Sequence, residues 1–410
     1  MDSRLYWIWL QQALPAGSRA AGTLLDAFGH AQAIYEADDG QLSSAEIDKA
    51  LRRRLSDKSL DKARRILDRV LEAGDWLLTP EDALYPLGLR QLPDCPLVLY
   101  ARGTLPDLDR IPAIALVGTR HATRDGYREA YSLAAGLAAG GAAVVSGGAV
   151  GIDAAAHTGA LDAGGITVVV MACPVNENYP RDNEELRRRV VAQGGVLMSE
   201  FPHGEPYKCE FPIRNRILAG LSQGVCLGET PVRSGARITA RLAREQGRDV
   251  YALPGALSGR RNDGAHREIQ HGAALVVRAE DILSDYLSLF PDVLDPEAAE
   301  SMQKQMDARP ASSDVNKNKP KEKKSDKKLP KNPESVPDPA VVGTPPLATC
   351  PDCASAEAKR VYERLTAQPQ PVDILAQVTE MPIPVLLAAL TELEMFGCVE
   401  NSAGQQYKRC

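Results

Sequence analysis

Ala142-Ala-Val-Val-Ser-Gly-Gly-Ala-Val-Gly-Ile-Asp153 is an apolar run that breaks on glycines and reopens as a helix running to about Ala163. Glycines let a backbone approach an anion closely, and the first turn of a helix presents unpaired N–H groups to it. The stretch from Ser146 through Gly147 and Gly148 to Asp153 therefore reads as a strand–loop–helix cradle for phosphate. A dinucleotide site is disfavoured, because the following strand would then end in an acidic residue for the ribose and instead ends Ala172-Cys173-Pro174.

Working outward, the same kind of apolar run recurs. Ile114 to Gly118, Thr167 to Met171, Gly195 to Ser199, Gly224 to Gly228 and Asp249 to Leu253 are short and continuous, each separated from the next by a helical stretch or a glycine-rich turn. Such runs are strands buried on both faces of a parallel sheet. The fold class expected is α/β, with an extended Rossmann-like parallel core over residues 80–290. Ligands of such sheets lie beyond the carboxyl ends of the strands, which here carry Gly118-Thr119-Arg120, Ser146-Gly147-Gly148, Ala172-Cys173-Pro174, Ser199-Glu200-Phe201, Glu229-Thr230-Pro231 and Pro254-Gly255.

Residues 1–75 read as a small helical domain, with helical spacing over Leu5–Leu14, Ala20–Phe28 and Leu60–Glu72. Leu14-Pro-Ala-Gly17 followed by Thr23-Leu-Leu25 resembles a degenerate helix–hairpin–helix, and we read it as a packing module. Residues 295–350, rich in Pro, Lys, Ser, Asp and Asn, read as a disordered linker. Residues 355–410 carry three helical stretches and a glycine-bounded hairpin, the layout of a winged helix. Its presumed recognition helix holds Glu392 and Glu394 and no Lys or Arg, which favours a protein contact over a phosphate backbone.

Composition sets limits on function. The 410 residues are 44% hydrophobic and 25% charged, globular values that exclude a wholly disordered chain. No apolar run reaches the roughly 18 residues of a membrane span, and the opening Met1-Asp-Ser-Arg4 lacks the layout of a secretory signal. Eight scattered cysteines fit a reducing cytoplasm. Cys350-Pro-Asp-Cys353 is half a zinc ribbon without its second pair, so neither metal nor cofactor is expected. The net charge is −6, yet Lys317–Lys331 holds eight lysines against Glu322 and Asp326, leaving the rest of the chain strongly acidic. An anion must therefore be held by a focused pocket rather than drawn by bulk charge.

Three groups of residues carry that pocket. Arg120 at the first strand end offers forked donors to phosphate. The loop Thr230 to Thr239 lies between a strand and a helix, which makes Ser234 and Gly235 a second anion loop. Lys208-Cys-Glu-Phe-Pro-Ile-Arg-Asn-Arg216 sets Lys208, Arg214 and Arg216 around Phe211, one of only five phenylalanines. Cations around an aromatic supply phosphate charge and a stacking face that accepts any base. Asp153 and His157 lie four apart on one helix face, but with no nucleophile in evidence they read as a helix cap and a packed histidine.

At these residues the chain resembles the DNA-processing protein A (DprA/Smf) family. The matching runs are Val117-Gly-Thr-Arg120, Val145 to Asp153 with Ala156-His157, Tyr179-Pro180, Ser199-Glu200, Phe211-Pro-Ile-Arg-Asn-Arg216 with Ala219-Gly-Leu-Ser222, Ser234-Gly235 with Ile238-Thr-Ala240, and Pro254-Gly255. The resemblance covers residues 80–280 strongly and the two flanking parts by layout. It implies a non-catalytic, homodimeric protein that binds single-stranded DNA entering by natural transformation, protects it and helps load the RecA recombinase. It implies a DNA pocket on Arg120, Lys208 and Phe211, supported by Gly147 and Gly148. Two runs depart from the family: Ala172-Cys-Pro-Val175 replaces a glycine-rich turn, and Gly264-Ala-His266 stands where Gly-Thr-Asn is common. The rival expectation is a nucleotide phosphoribohydrolase of the lysine-decarboxylase-like type. That type requires Pro-Gly-Gly-x-Gly-Thr and a catalytic Glu where this chain has Thr230-Pro-Val-Arg-Ser-Gly235.

Overall fold

The computed structural model describes residues 2–205, 211–308, 355–366, 368, 370–379, 381–395, 398–402 and 406–409. Lys208, residues 309–354 and the Cys350–Cys353 pair lie outside the described residues. The chain divides into two compact units, one reaching to Ser312 and one beginning at Ser313.

The first unit opens with α1 (Arg4–Ala13), α2 (Ala20–Phe28), α3 (Ala31–Glu36), α4 (Asp39–Ser43), α5 (Lys49–Leu55) and α6 (Asp61–Glu72). The apolar periodicity anticipated α1, α2 and α6. The short α3, α4 and α5 were marked only by their caps, since His30, Asp38 and Asp48 each accept a backbone N–H of the first turn. On α6 the buried Ala63, Ile66, Leu67 and Val70 form one stripe at helical spacing. These helices do not close a core of their own. Their apolar residues join Tyr100, Val169, Met171, Val190 and Leu197 of the sheet layer in a single cluster. Gly17, at φ +70°, sits against Ile213 and Arg216, so the hairpin glycine faces protein, as a packing module does.

The sheet elements follow in the order β1 (Trp76–Leu78), α7 (Leu87–Arg90), β2 (Leu99–Gly103), β3 (Ala113–Val117), α8 (Arg124–Ala139), β4 (Ala143–Ser146), α9 (Ile152–Asp162), β5 (Thr167–Val170), α10 (Glu184–Ala192), β6 (Val196–Ser199), α11 (Phe211–Leu221), β7 (Gly224–Leu227), α12 (Ala236–Glu245), β8 (Asp249–Ala252), α13 (Asp263–Gln270), β9 (Ala274–Leu275) and α14 (Ala279–Tyr286). Among the described residues the strands form one nine-stranded sheet, ordered β1-β2-β6-β5-β4-β3-β7-β8-β9. From β3 outward in both directions the pairing is parallel as far as β6 and β9, and β2 is antiparallel to β1 and β6. The six expected strands are β3 to β8. Their continuous apolar runs are buried on both faces, as in any sheet covered by helices on both sides. The order β5-β4-β3-β7-β8-β9 is that of a doubly wound fold.

One boundary differs from the sequence expectation. The linker read from residue 295 begins instead with α15 (Pro296–Asp307). Asp295 caps it by accepting the Ala298 N–H at 2.9 Å, and Pro296 occupies the first turn, where its missing N–H costs nothing. Gln303 then bonds the Ala279 N–H at 2.8 Å, and the Ser132 hydroxyl donates to Asp307 at 2.6 Å, fixing α15 on α8 and α14. Polar composition suggested a spacer here, yet Ala299 and Met306 are buried. Among the described residues no helix is long and apolar enough to cross a membrane.

The second unit contains α16 (Ala356–Arg364), β10 (Gln370–Pro371), α17 (Val372–Thr379), α18 (Ile383–Met395), β11 (Val399–Ser402) and β12 (Gln406–Arg409), with antiparallel strand order β10-β12-β11. This is the three-helix and wing layout expected. Val361, Leu375, Leu386, Leu390 and Leu393 form its core. Glu392, one of the two acids on the presumed recognition helix, accepts the Ser355 N–H at 2.7 Å and its hydroxyl at 2.5 Å.

Candidate nucleic-acid interface

Three neighbouring parallel strands, β3, β4 and β5, point their carboxyl ends at one cleft. The loop after β4 turns through Gly148 at φ +69° and Gly151 at φ +85°, conformations that L side chains rarely adopt. Gly151 lies so close to the backbone of Thr119 and Arg120 that a Cβ there would come within 2.8 Å of the Arg120 carbonyl carbon. The Ile152 N–H, at the start of α9, donates to the Thr119 carbonyl at 3.1 Å. The two loops are thus locked together, and that lock aims Arg120 over the cleft. On the far side, Asn183 donates to the Gly148 carbonyl at 2.9 Å.

Arg120 is exposed, and its guanidinium carbon lies 4.6 Å from the centroid of the Phe211 ring. Phe211 opens α11 and is half-buried. The Tyr179 ring stands 6.1 Å from it at 44°. Gly147, Gly148, Ala149, Val150 and Arg120 form one wall, while Val169, Met171, Ala172, Cys173, Tyr179, Pro180 and Arg187 form the others. A narrow, apolar cleft with a cation and two rings at its mouth suits a flat aromatic group attached to an anion.

Beneath the glycine loop lies a buried charge pair. Arg214 is almost wholly buried and donates to the Gly147 carbonyl at 2.8 Å and to the Val170 carbonyl. Asp153, also buried, accepts the Ala149 N–H at 3.3 Å. Burial pushes the Asp153 carboxyl above its usual range, opposed by the nearby Arg214 guanidinium. A Cβ on Gly147 would sit 2.5 Å from Arg214 Nη2 and 2.7 Å from Asp153 Oδ2, so glycine is what lets the loop rest on this pair. Asp153 holds the loop rather than the helix start, which is Gly151. His157 is fully buried with its Nδ1 2.7 Å from the Thr167 hydroxyl, and desolvation lowers its pKa to about 3. Neither group reaches the cleft as a general acid or base.

The sequence-derived residues divide accordingly. The fold brings Arg120, Gly147, Gly148 and Phe211 to one cleft, with Arg214 supporting from below. Ser146 is not presented to a ligand, since its side chain is fully buried and donates to the Leu116 carbonyl at 2.6 Å. Arg216 is likewise turned inward, paired with Glu200 at 2.7 Å and 3% exposed. Ser234 and Gly235 precede α12 and are not among the described residues that wall the cleft. Instead the Gly235 carbonyl meets Asn215 Nδ2 at 3.5 Å. The switch point of the sheet, between β3 and β7, is filled by Glu229, whose carboxylate accepts the Thr123 N–H at 2.9 Å and its hydroxyl. Tyr179, Met171 and Arg187 were not singled out as site residues. The Tyr179-Pro180 pair was the one legible signal. The departure at Ala172-Cys173 places two small apolar side chains in the cleft wall.

Comparison with known proteins places the chain in a family. The family model of DNA recombination-mediator protein A matches residues 76–287, and that of the DprA winged helix domain matches residues 344–405. DNA processing protein DprA of Streptococcus pneumoniae is 40% identical over 206 residues, 50% of this chain and 72% of that protein. Protein Smf of Synechocystis sp. is 30% identical over 349 residues, 84% of this chain and 83% of that protein. The X-ray structure of DNA processing protein A from Streptococcus pneumoniae superposes with a TM-score of 0.60 at 31% identity, covering 68% of this chain and 97% of that one. The chain belongs to the DNA recombination-mediator protein A family, the DprA/Smf proteins.

Proposed function

We propose that this protein binds single-stranded DNA without regard to sequence and acts as a recombination mediator on it. The observation that carries this reading is the Arg120 guanidinium over the Phe211 ring, at the mouth of a cleft edged by Gly147 and Gly148. Phosphates are held by the loop amides and Arg120, and a base stacks on the ring. Lys208, three residues before Phe211, adds charge in the role the family resemblance gives it. A duplex keeps its bases stacked and paired, so a ring-lined cleft selects the unpaired strand.

Family membership supports the wider role: protecting strands taken up in natural transformation and loading RecA on them, as a cytoplasmic homodimer without catalysis. The burial of Asp153 and His157 speaks against the phosphoribohydrolase alternative. A binding titration of the full chain with a labelled mixed-sequence oligonucleotide, single-stranded and then duplexed, tests the proposal. A clear preference for the single strand is expected. Release of free base from nucleoside monophosphates would support the enzyme instead.

A further inference from the structure

The connection leaving β6, Phe201 to Glu205, leads to Lys208 and Phe211, and it is gripped from outside the sheet. Arg69 of α6 donates to the His203 carbonyl at 3.1 Å and to Glu205 Oε1 at 3.2 Å. Lys62, two turns earlier on the same helix, lies 3.0 Å from Glu205 Oε2. Both oxygens of one carboxylate are therefore held by one helix face. Gly204, at φ +68°, allows the backbone to lie on the Arg69 guanidinium, since a Cβ there would meet Nη1 at 2.7 Å.

A second contact lies beneath. His203 is buried with Nε2 3.4 Å from Asp75 Oδ2, and Arg102 holds Asp75 through two 2.7 Å bonds. The Tyr100 ring flanks His203 at 5.9 Å. The helix α6 is itself anchored by its buried stripe, so the grip is rigid on one side.

A carboxylate six residues before Phe211 on the chain would oppose a polyanion by charge alone. Its two-cation grip gives it a different use. We infer that α6 positions the strand-binding segment: Lys62 and Arg69, through Glu205, hold the chain that leads on to Phe211 at the cleft. This rests on the single-strand reading of that cleft. Lys62, Arg69 and Glu205 are positioning residues that act through the segment, and the helical front piece thereby gains a role in binding. Ordering the segment in advance removes a cost that binding would otherwise meet.

The sign of one substitution decides between positioning and direct contact. In the full-length chain, Glu205→Gln should weaken binding of a labelled mixed-sequence 20-mer by about three- to tenfold, although it removes a negative charge. Arg69→Gln should do the same with the salt slope unchanged, and Arg69→Lys should restore most of the affinity. Stronger binding by Glu205→Gln, or a shallower salt slope for Arg69→Gln, would overturn the inference and make Arg69 a phosphate contact. Hydrogen exchange of peptides spanning residues 198–217 gives a reading independent of DNA. Faster exchange in Glu205→Gln is expected, and unchanged exchange would overturn the clamp. If the parent chain bound no oligonucleotide, the single-strand reading would fail while the exchange result still judged the clamp.

Discussion

The Arg120 guanidinium rests over the Phe211 ring at 4.6 Å, so the cation occupies the surface on which a base would stack. A cation–π pair at an exposed site is worth about 0.5–1 kcal/mol. A base stacked on an aromatic side chain is worth about 1–3 kcal/mol. On the proposed reading, exchange of Arg120 for a base would be favourable, and the released guanidinium would meet the phosphate beside that base. On the same reading, the resting pair keeps ring and cation in register for the two halves of a nucleotide.

Phe211→Ala should weaken single-strand binding by about 1–3 kcal/mol, the value of the lost stack. Fluorescence anisotropy with a labelled oligonucleotide measures it, and a circular-dichroism spectrum matching the parent shows the fold intact. Unchanged affinity would remove Phe211 from the site.

Arg120→Ala should reduce the slope of log affinity against log salt by about 0.7, the share of one phosphate contact on a single strand. Arg120→Lys keeps the charge, so it should keep the slope while losing affinity through the lost fork and plane. Titrations at several salt concentrations separate the two effects. A parental slope in Arg120→Ala would mark the residue as structural.

Arg216→Ala should act on stability rather than on DNA. Removing it leaves Glu200 buried without its partner, a change that costs about 3–5 kcal/mol in such pairs. A urea melt should show the lower midpoint. A variant of parental stability with a reduced salt slope would return Arg216 to the ligand.

Stability should fall as pH drops below neutrality. Burial lowers the His157 pKa to about 3 in the folded chain, from the ordinary histidine value of about 6.5, so the unfolded chain binds the extra proton between those values. From pH 6.5 to 5.5 this lowers stability by about 1 kcal/mol. Burial lowers the His203 pKa too, with the same sign. Asp153, raised by burial, has the opposite sign and favours the fold only as pH falls toward the carboxylate range. Urea midpoints at pH 7.5 and 5.5 should differ in the parent and differ less in His157→Gln. Equal pH dependence in both would contradict the assignment.

The doubly wound core was legible because β3 to β8 are buried on both faces and so carry continuous apolar runs. β1 and β2, paired antiparallel as Trp76–Leu78 on Leu99–Gly103, fall outside that expectation although Leu97-Val-Leu-Tyr-Ala101 is itself a continuous buried apolar run, because no parallel crossover pattern of strand and helix leads to them. α15 was hidden by its polar composition, although Asp295-Pro296 is a cap followed by a first-turn proline. In the site, the glycine loop, Arg120 and Phe211 could be read because each residue type has a specific use there. Which arginine faces the cleft could not be read. Arg214 and Arg216 are two apart, and their burial depends on Gly147, Val170 and Glu200, brought to them by other strands. The Tyr179-Pro180 pair was legible as a motif, but its place beside Phe211 depends on how the turn packs, which no local pattern announces.

The central claim is that a cation and a ring at one cleft hold an unpaired strand. Its most direct measurement is a salt-dependent titration of the full-length protein with one labelled oligonucleotide, single-stranded and annealed to its complement, beside the double variant Arg120→Ala/Phe211→Ala. The account predicts tighter binding to the single strand at every salt concentration, and loss of that preference in the double variant. Equal affinity for both forms, or a double variant that still prefers the single strand, would contradict it.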